Sequence, residues 1–451
     1  MELGEALLAV GEGERAASFE VFSDTLDGAW ITQALTSTGT ATIRRRKLPA
    51  EYVVWIVIGM GLLRDRSIRE VVRHLDLVLP AAGEGRQTVS GSAIVQARER
   101  LGPNPLAALF AQSAAMWCPA AADSDRWRGL AVLGVDGTTL RVPDTPENEA
   151  AFGRATTRWE STGGYPLLRL VALMVLRRHL LAALALGAYH DGELTLAESL
   201  WPQIPDSSLL ILDRGFANYG LFHRLADVAH ERYWLTRQRG GPRPLGQRIV
   251  RRLGRNDCLI DLVPSRHTLR AHPDLPPTLR IRAIRYQRRG FRAQTLLTSL
   301  LDPATFPAAE IVALYHERWE LELGFDEVKT HTLEREEALR SKTPARVEQE
   351  LWGLAIGYNL VRLEMARVAE RADIAPTRIS YRHALQLIRI FWLTAWLASP
   401  GVLPRRLEAL HDELALLILP ERRARAAPRA VKIKMSNYPR KRPKPRSGAP
   451  K

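Results

Sequence analysis

One stretch of the sequence, residues 315–329, concentrates side chains that could act together. It reads YHERWELELGFDEVK, and at about 100° per residue an α-helix would bring Tyr315, Arg318, Glu322 and Lys329 onto one narrow stripe. A plain solvated helix would scatter a phenol, a guanidinium, a carboxylate and an ammonium. Arg318 and Glu322 could nevertheless form an ordinary i,i+4 ion pair worth a few tenths of a kcal/mol. The spacing alone therefore leaves a functional and a structural interpretation open.

Two aspartates follow apolar runs of strand length. A buried run in residues 130–142 leads into Asp136, which Gly137 and Thr138 follow, and the short strand Ser208–Leu212 delivers Asp213. Carboxylates from two strand ends and one helix can converge on a common centre. Other acidic residues have no such setting and are interpreted as structural: Asp144, Asp191, Asp302 and Asp326.

These segments resemble a known family, the insertion-sequence-four family of bacterial DDE transposases. Its signature Tyr-x₂-Arg-x₃-Glu-x₆-Lys is matched at every spacing by the four residues of the helical stripe. The family's Asp-x-Gly-Phe/Tyr motif is matched by residues 213–216, and its first Asp, in an Asp-Gly context, by Asp136. The likeness extends from about Arg44 to the Lys-rich end and includes a long insertion between Asp213 and Glu322.

The resemblance implies that Asp136, Asp213 and Glu322 are the catalytic residues and hold two Mg²⁺ ions, for which Mn²⁺ can substitute. One ion activates the attacking water or 3′-hydroxyl and the other stabilises the leaving oxygen, with the ions about 3.5–4 Å apart. Hard Mg²⁺ prefers oxygen ligands. Asp136 would bridge the ions, and the other two carboxylates would each complete one side.

The resemblance also assigns DNA contacts to the helical stripe. Tyr315 and Arg318 would contact phosphates near the element end, and Lys329 would hold the terminal nucleotides in line for attack. Trp319 either packs on DNA or is buried in the core. No tryptophan lies in residues 237–300, so the base flipping that accompanies a hairpin intermediate is left open.

The implied activity is Mg²⁺-dependent endonuclease cleavage at insertion-sequence ends followed by strand transfer into target DNA, which is cut-and-paste transposition. The implied partners are double-stranded DNA, as terminal inverted repeats and as target, and a second copy in a homodimeric synaptic complex. The alternatives are an RNase H-like nuclease without strand transfer and an inactive DNA-binding remnant, although the intact acidic triad argues against a remnant.

Composition is compatible with this activity. The chain has 451 residues, 46% of them hydrophobic and 25% charged, which predicts a globular protein of several domains. With only Cys118 and Cys258, neither a disulfide framework nor a Cys-x-x-Cys zinc site is expected. The longest apolar stretch, residues 52–63, is too short to cross a bilayer, and no signal peptide is apparent. We expect a bacterial cytoplasmic, nucleoid-associated protein without a membrane partner.

Positive charge is concentrated in two regions. Of the net charge of +15, residues 421–451 contribute +11 and residues 237–292 contribute +12, so the remainder carries −8. Two basic regions on an acidic body predict surfaces for nucleic acid. The last region could also be only a solubilising tail.

The elements between these motifs predict the fold class. Short helices in residues 50–116 are compatible with helix-turn-helix DNA binding through Arg98 and Arg100, and equally with generic packing. Three strands, a helix, a strand, a helix and a strand follow, and Pro307 begins a long helix running to about Lys329. Together these elements predict an α/β RNase H-like catalytic core with a β-rich insertion, flanked by N-terminal and C-terminal α-helical domains.

The predicted domains follow from these elements. They are an N-terminal helical domain and candidate DNA-end-binding unit (1–125), the first part of the RNase H-like core (126–236), a basic β-rich insertion (237–300), the final catalytic helix of the core (301–342), a C-terminal helical domain that is the candidate dimer contact (343–420) and a basic disordered tail (421–451).

Overall fold

The fold is known from a computed structural model. The described residues are 25–41, 48–78, 90–123, 125–155, 164–239, 246–271, 273–288, 290–334, 338–395 and 400–421. Apart from Glu421, the predicted basic tail lies outside them, as do the first 24 residues.

The N-terminal part of the chain is helical. Its helices are α1 (Gly28–Ser37), α2 (Ala50–Leu62), α3 (Ile68–Val78), α4 (Gly91–Leu101) and α5 (Asn104–Asp123). The side chains of Asp27 and Ser90 cap α1 and α4 by accepting backbone N–H bonds, as polar N-cap residues commonly do. Helix α1 lies in a stretch where the sequence shows no clear period.

One sheet of nine strands runs through the rest of the molecule, in the order β3-β2-β1-β4-β5-β9-β8-β7-β6. Its first half is built from β1 (Ala131–Arg141), α6 (Pro146–Phe152), β2 (Leu167–Val175), β3 (Leu180–Ala188), α7 (Glu193–Glu198), β4 (Ser208–Leu212), α8 (Tyr219–Leu225) and β5 (Arg232–Arg237). Strand β1 pairs antiparallel with β2 and parallel with β4, and β4 pairs parallel with β5. The predicted mixed α/β architecture is thus confirmed.

The basic segment continues this sheet. It forms β6 (Gly246–Gly254), β7 (Asp257–Val263), α9 (Arg266–Ala271), β8 (Leu279–Tyr286) and β9 (Gln294–Thr298). All four strands run antiparallel to their neighbours, and β9 joins the meander to β5. The segment is therefore an extension of the central sheet and shares its hydrogen-bond network.

The helix predicted from Pro307 to Lys329 is not continuous. It consists of α10 (Ala308–Tyr315), a 3₁₀ turn (His316–Arg318), α11 (Trp319–Asp326) and a π-helical turn (Glu327–Thr332). Because 3₁₀ and π turns wind by different amounts per residue, positions on the stripe cannot be placed by a constant 100° step. The expectation of one regular helix was wrong in this respect.

Three further helices follow: α12 (Pro344–Arg371), α13 (Tyr381–Ala395) and α14 (Leu403–Leu416). Helix α12 packs closely against α2, and a Cβ on Gly61 would lie 2.7 Å from the Leu354 Cα. Arg98 of α4 is also part of this junction. Its side chain is 3% exposed and donates to Gln349 Oε1 at 2.8 Å, so Arg98 holds helices together and does not face DNA.

The length and hydropathy of the helices bear on whether any of them could span a membrane. Within the described ranges, none is both long and apolar enough to cross a bilayer.

Candidate active site

Asp136 lies in the middle of the sheet, on the face covered by α11. Side chains alternate along a strand, so Gly134, Asp136 and Thr138 share one face of β1. A Cβ on Gly134 would lie 2.7 Å from Leu321 Cδ1 of α11, and this close approach explains why a glycine stands there. The first aspartate is therefore directed towards the helix that carries Glu322.

The carboxyl of Asp136 is hard to ionise. Burial raises its pKa to about 6, the N–H bond from Gly137 and the charge of Arg318 act in the opposite direction, and the negative charges of Asp213 and Glu193 raise it further. Burial is the main cause of the shift, and the smaller effect of Asp213 indicates that a second carboxylate lies nearby.

Asp213 directly follows β4, next to Asp136. In the parallel pairing of β1 with β4, Val135 is opposite Leu212, so the next residues of the two strands are the two aspartates. A 3₁₀ turn, Arg214–Phe216, follows and buries Phe216. Arg239 binds this turn by donating from Nε to the Arg214 carbonyl at 3.0 Å. Nothing in the sequence motif identified Arg239, which the sheet brings back from the end of β5.

Arg318 lies between the carboxylates. Its Nη2 donates to Glu322 Oε1 at 2.8 Å and its Nε is 3.8 Å from Asp213 Oδ1. The Arg318 side chain is 15% exposed, whereas that of Glu322 is 40% exposed. The structure thus contains the i,i+4 ion pair that the spacing allowed, and the same guanidinium also reaches a strand end distant in sequence.

Lys329 and Tyr315 flank this arrangement. Lys329 Nζ lies 3.5 Å from Thr138 Oγ1, two residues beyond Asp136 on the same face of β1. Tyr315 is only 6% exposed. Burial raises its pKa to about 12, although the positive charges of Arg318 and Arg237 lower that pKa and the negative charge of Asp213 raises it further. The structure therefore brings both residues to the site, with the tyrosine ring inside the core.

Trp319 points away from the core. It is 38% exposed, and the Arg318 guanidinium carbon lies 5.6 Å from its ring centroid, within range of a cation–π contact. Trp319 was expected either to pack on DNA or to be buried in the core, and the structure does not bury it.

Other side chains near the site were missed. The Tyr286 and His316 rings are 5.9 Å apart, and burial raises the pKa of Tyr286 while Arg237 and Arg288 oppose that rise. On the opposite face of β1, a Cβ on Gly137 would lie 2.7 Å from Glu193 Cδ. In the sequence, Arg237 and Arg288 are marked only by the excess of positive charge in residues 237–292. No sequence pattern pointed to Glu193.

The donor groups of the site are of the kind that binds a divalent metal. Carboxylate oxygens are the hard ligands that Mg²⁺ prefers. The pKa of Asp136 is raised mainly by burial and to a lesser extent by the negative charges of Asp213 and Glu193, and a bound cation would favour the ionised carboxylate. No group of three or more His, Cys, Asp or Glu side chains in the described part of the chain is close enough to hold an ion. The donor chemistry fits, and the Arg318 guanidinium stands between two of the donors.

Comparison with known proteins adds independent information. Two family models match, described as "Insertion element 4 transposase N-terminal" over residues 16–111 and "Transposase DDE domain" over residues 127–360. The transposase InsG for insertion sequence element IS4 of Escherichia coli (strain K12) is 37% identical over 442 residues, which cover 97% of this chain and 98% of that protein.

A solved structure is also similar, although weakly. The cryo-EM structure of a piggyBac transposase synaptic complex with hairpin DNA aligns with a TM-score of 0.42 and 10% sequence identity, covering 90% of this chain and 86% of that one. The sequence matches, and not this superposition, bear on what the chain is.

Proposed function

Since this chain belongs to the insertion element 4 family of DDE transposases, we propose that it moves its element by a Mg²⁺-dependent, two-metal cut-and-paste reaction. Membership makes it a transposase, an enzyme that cleaves and transfers DNA strands and depends on a divalent metal, and it confirms the resemblance seen in the sequence. One observation carries the finer proposal: the Arg318 guanidinium interacts with all three acids, by an ion pair with Glu322, at 3.8 Å from Asp213 and through its charge on Asp136.

The three carboxylates would hold the metal ions. When bound, the ions activate the attacking hydroxyl and stabilise the leaving oxygen. The Arg318 guanidinium donates to Glu322, and a cation bound to that carboxylate would compete with this ion pair. A guanidinium beside the carboxylates is suited to bidentate binding of a DNA phosphate, which is the role that the resemblance suggests for Arg318.

We further propose that the first half of the sheet is an RNase H-like core. Support comes from the strand order β3-β2-β1-β4-β5. Strand β2 runs antiparallel to both of its neighbours, β3 and β1, whereas β1, β4 and β5 run parallel. Two of the carboxylates come from the adjacent strands β1 and β4 and the third from a helix packed on the same face. At the carboxyl end of β4 the Asp213 side chain is 35% exposed, so a DNA strand would reach it there.

The extended half of the sheet would supply sequence-independent DNA affinity. Not every arginine is available, because Arg282 is buried with Asp257 and Arg280 pairs with Asp261. The remaining exposed arginines are Arg248, Arg251, Arg252, Arg255, Arg266, Arg270, Arg285, Arg288 and Arg292. A dense set of exposed guanidiniums suits contact with the phosphate backbone.

The proposal is tested by joining, because a nuclease without strand transfer would cut but not join. Purified protein, Mg²⁺, a duplex ending in the element's terminal repeat and a supercoiled plasmid are mixed. We expect cleavage at the element end and covalent joining of that end to the plasmid. Light scattering on the same sample should give two protein chains per complex, since two ends need two active sites, with residues 343–420 as the proposed contact.

Several outcomes would count against it. Cutting without joined product would favour the nuclease, and binding without cutting would indicate a remnant. Full cleavage and joining by a complex that contains one protein chain would contradict the proposed homodimer.

Lys329 and the tail should differ in what they do to DNA binding. Lys329→Ala is expected to reduce end-specific cleavage more than affinity for random DNA, because a residue beside Thr138 acts on the terminal nucleotides. Truncation at Glu421 should weaken binding to all sequences and flatten its salt dependence, because it removes counterion release. Salt titrations on end and random duplexes measure both. The proposed role of Lys329 would be contradicted if Lys329→Ala bound the end duplex and the random duplex with equally reduced affinity and cleaved DNA at the normal rate.

A further inference from the structure

Beneath the catalytic helix lies a buried cluster of charged groups that the proposed reaction does not use. It consists of His179, Glu320, Glu327, Tyr358 and Arg362, and is called here the His179 cluster. We propose that the His179 cluster is a positioning device, which holds the π-helical turn and so directs Lys329 towards β1. This inference rests on the proposed function of Lys329.

His179 is the centre of the cluster. It lies in the turn between β2 and β3, is 1% exposed, and has a φ of 55°, in the left-handed region that non-glycine residues rarely adopt. Its Nε2 is 2.9 Å from Glu320 Oε2 and its Nδ1 is 3.1 Å from Glu327 Oε1. One imidazole therefore ties the sheet both to α11 and to the π-helical turn that follows it.

Glu327 is held from the other side by α12. Its Oε2 accepts from the Tyr358 hydroxyl at 2.8 Å, and its Oε1 lies 3.7 Å from Arg362 Nη1. Burial would raise the pKa of Glu327, but Arg362 and His179 outweigh it and lower the pKa to about 2. The residue is thus a fixed carboxylate, whose desolvation is offset only while its partners remain in place.

The π-helical turn is secured at its far end as well. Leu333 N donates to the Val328 carbonyl at 2.9 Å, the i→i+5 pattern, and Thr332 Oγ1 donates to the Glu327 carbonyl at 3.0 Å. The Thr332 hydroxyl also lies 2.7 Å from the Tyr381 hydroxyl of α13. π-Helical turns are rare and occur mostly at functional sites, so a turn held at both ends by three other elements has a cause beyond local propensity.

Lys329 is the third residue of this turn, between the two points of attachment. A π turn closes its hydrogen bond over five residues where an α turn closes it over four, so a return to α geometry would rotate Lys329 relative to Glu322. Its Nζ would then lose its place beside Thr138. The cluster acts through Lys329 and does not itself reach the proposed metal ligands.

A double-mutant cycle tests this coupling. Glu327→Gln keeps the size of the side chain and removes its charge. It is expected to lower the end-cleavage rate at saturating DNA by about 10- to 100-fold, the size of effect that a 1 Å misplacement can produce. Combined with Lys329→Ala it should cost nothing further, because the two changes remove one interaction. The measured quantities are single-turnover cleavage rates and, separately, end-duplex dissociation constants.

The matched control is Glu364→Gln. Glu364 lies on α12 and is 3% exposed, and its ion pairs are with His411 of α14 and Arg367 of α12. Its loss should lower the melting temperature without changing the rate per folded molecule, in wild type and in Lys329→Ala alike. If Glu327→Gln prevents folding, Tyr358→Phe replaces it in the cycle. Tyr358→Phe is expected to lower the cleavage rate about threefold in the wild type and to have no effect in the Lys329→Ala background.

The outcomes separate the two proposals. A normal rate for Glu327→Gln beside an impaired Lys329→Ala, or losses that multiply in the double variant, would overturn the positioning role and leave the function of Lys329 intact. A normal rate for Lys329→Ala would overturn the proposed function of Lys329 and the inference with it.

Discussion

Alanine at Asp136, Asp213 or Glu322 is expected to abolish metal-dependent cleavage of element-end DNA. Each carboxylate would supply ligands to ions that contribute several kcal/mol to the transition state, so a loss of at least about 10³-fold is expected. DNA affinity should be largely retained, because exposed arginines such as Arg248, Arg251 and Arg252 lie on β6, the strand at the far edge of the sheet from β1 and β4. Single-turnover cleavage and filter binding on the same end duplex measure the two effects.

Asp326→Ala is the control for this prediction. Asp326 ends α11, four residues beyond Glu322, and accepts from the Thr330 hydroxyl on the exposed surface. Its loss should leave cleavage near the wild-type rate. Near-normal cutting by Glu322→Ala would refute the assignment of that residue, and a deficit shared with Asp326→Ala would mean that any lost charge on the helix suffices.

Glu350→Ala is expected to destabilise the protein by about 3–5 kcal/mol, because it leaves buried guanidinium charge uncompensated. Glu350 is 0% exposed and accepts from Arg64, from the Ser341 hydroxyl and from the Arg340 backbone N–H. These contacts join α2, the segment after the π turn and α12. Thermal and denaturant unfolding measure the loss, which should appear for the N-terminal helices and the sheet together.

The effect of this substitution should depend on pH. Burial would raise the pKa of Glu350, but Arg64, Ser341 and the Arg340 backbone outweigh it and hold the pKa below its usual range. A depressed pKa stabilises the fold above the unfolded-state value and ceases to do so as the pH falls through the folded-state value. The difference in stability between wild type and Glu350→Ala should therefore shrink in acid.

Glu99→Ala provides the surface comparison. Glu99 is half exposed and pairs at 3.8 Å with Arg346, again between α4 and α12, and exposed pairs contribute about 0–1 kcal/mol. An equal loss from both variants would contradict the distinction between the buried and the exposed contact.

The sequence was informative where a local signal matched a local cause. A short apolar run placed β4 at Ser208–Leu212, the bounds that the structure has. It failed where packing decided. Residues 308–332 have a good helical pattern, yet this segment ends in a π turn that contacts the β2–β3 turn, α12 and α13. Arg98 carries the same charge as a DNA-binding arginine, but burial gives it a different role.

The sequence by itself determined the family of this protein, because the matches to the family models and to the IS4 transposase depend only on which residues stand at which spacings. Only the tertiary structure decided how those groups meet. Side chains far apart in the chain, such as Arg318 and Asp213 or His179 and Glu327, come together because pairing of β1 with β4 and packing of α11 on the sheet bring them to one place. No spacing along the chain records that placement.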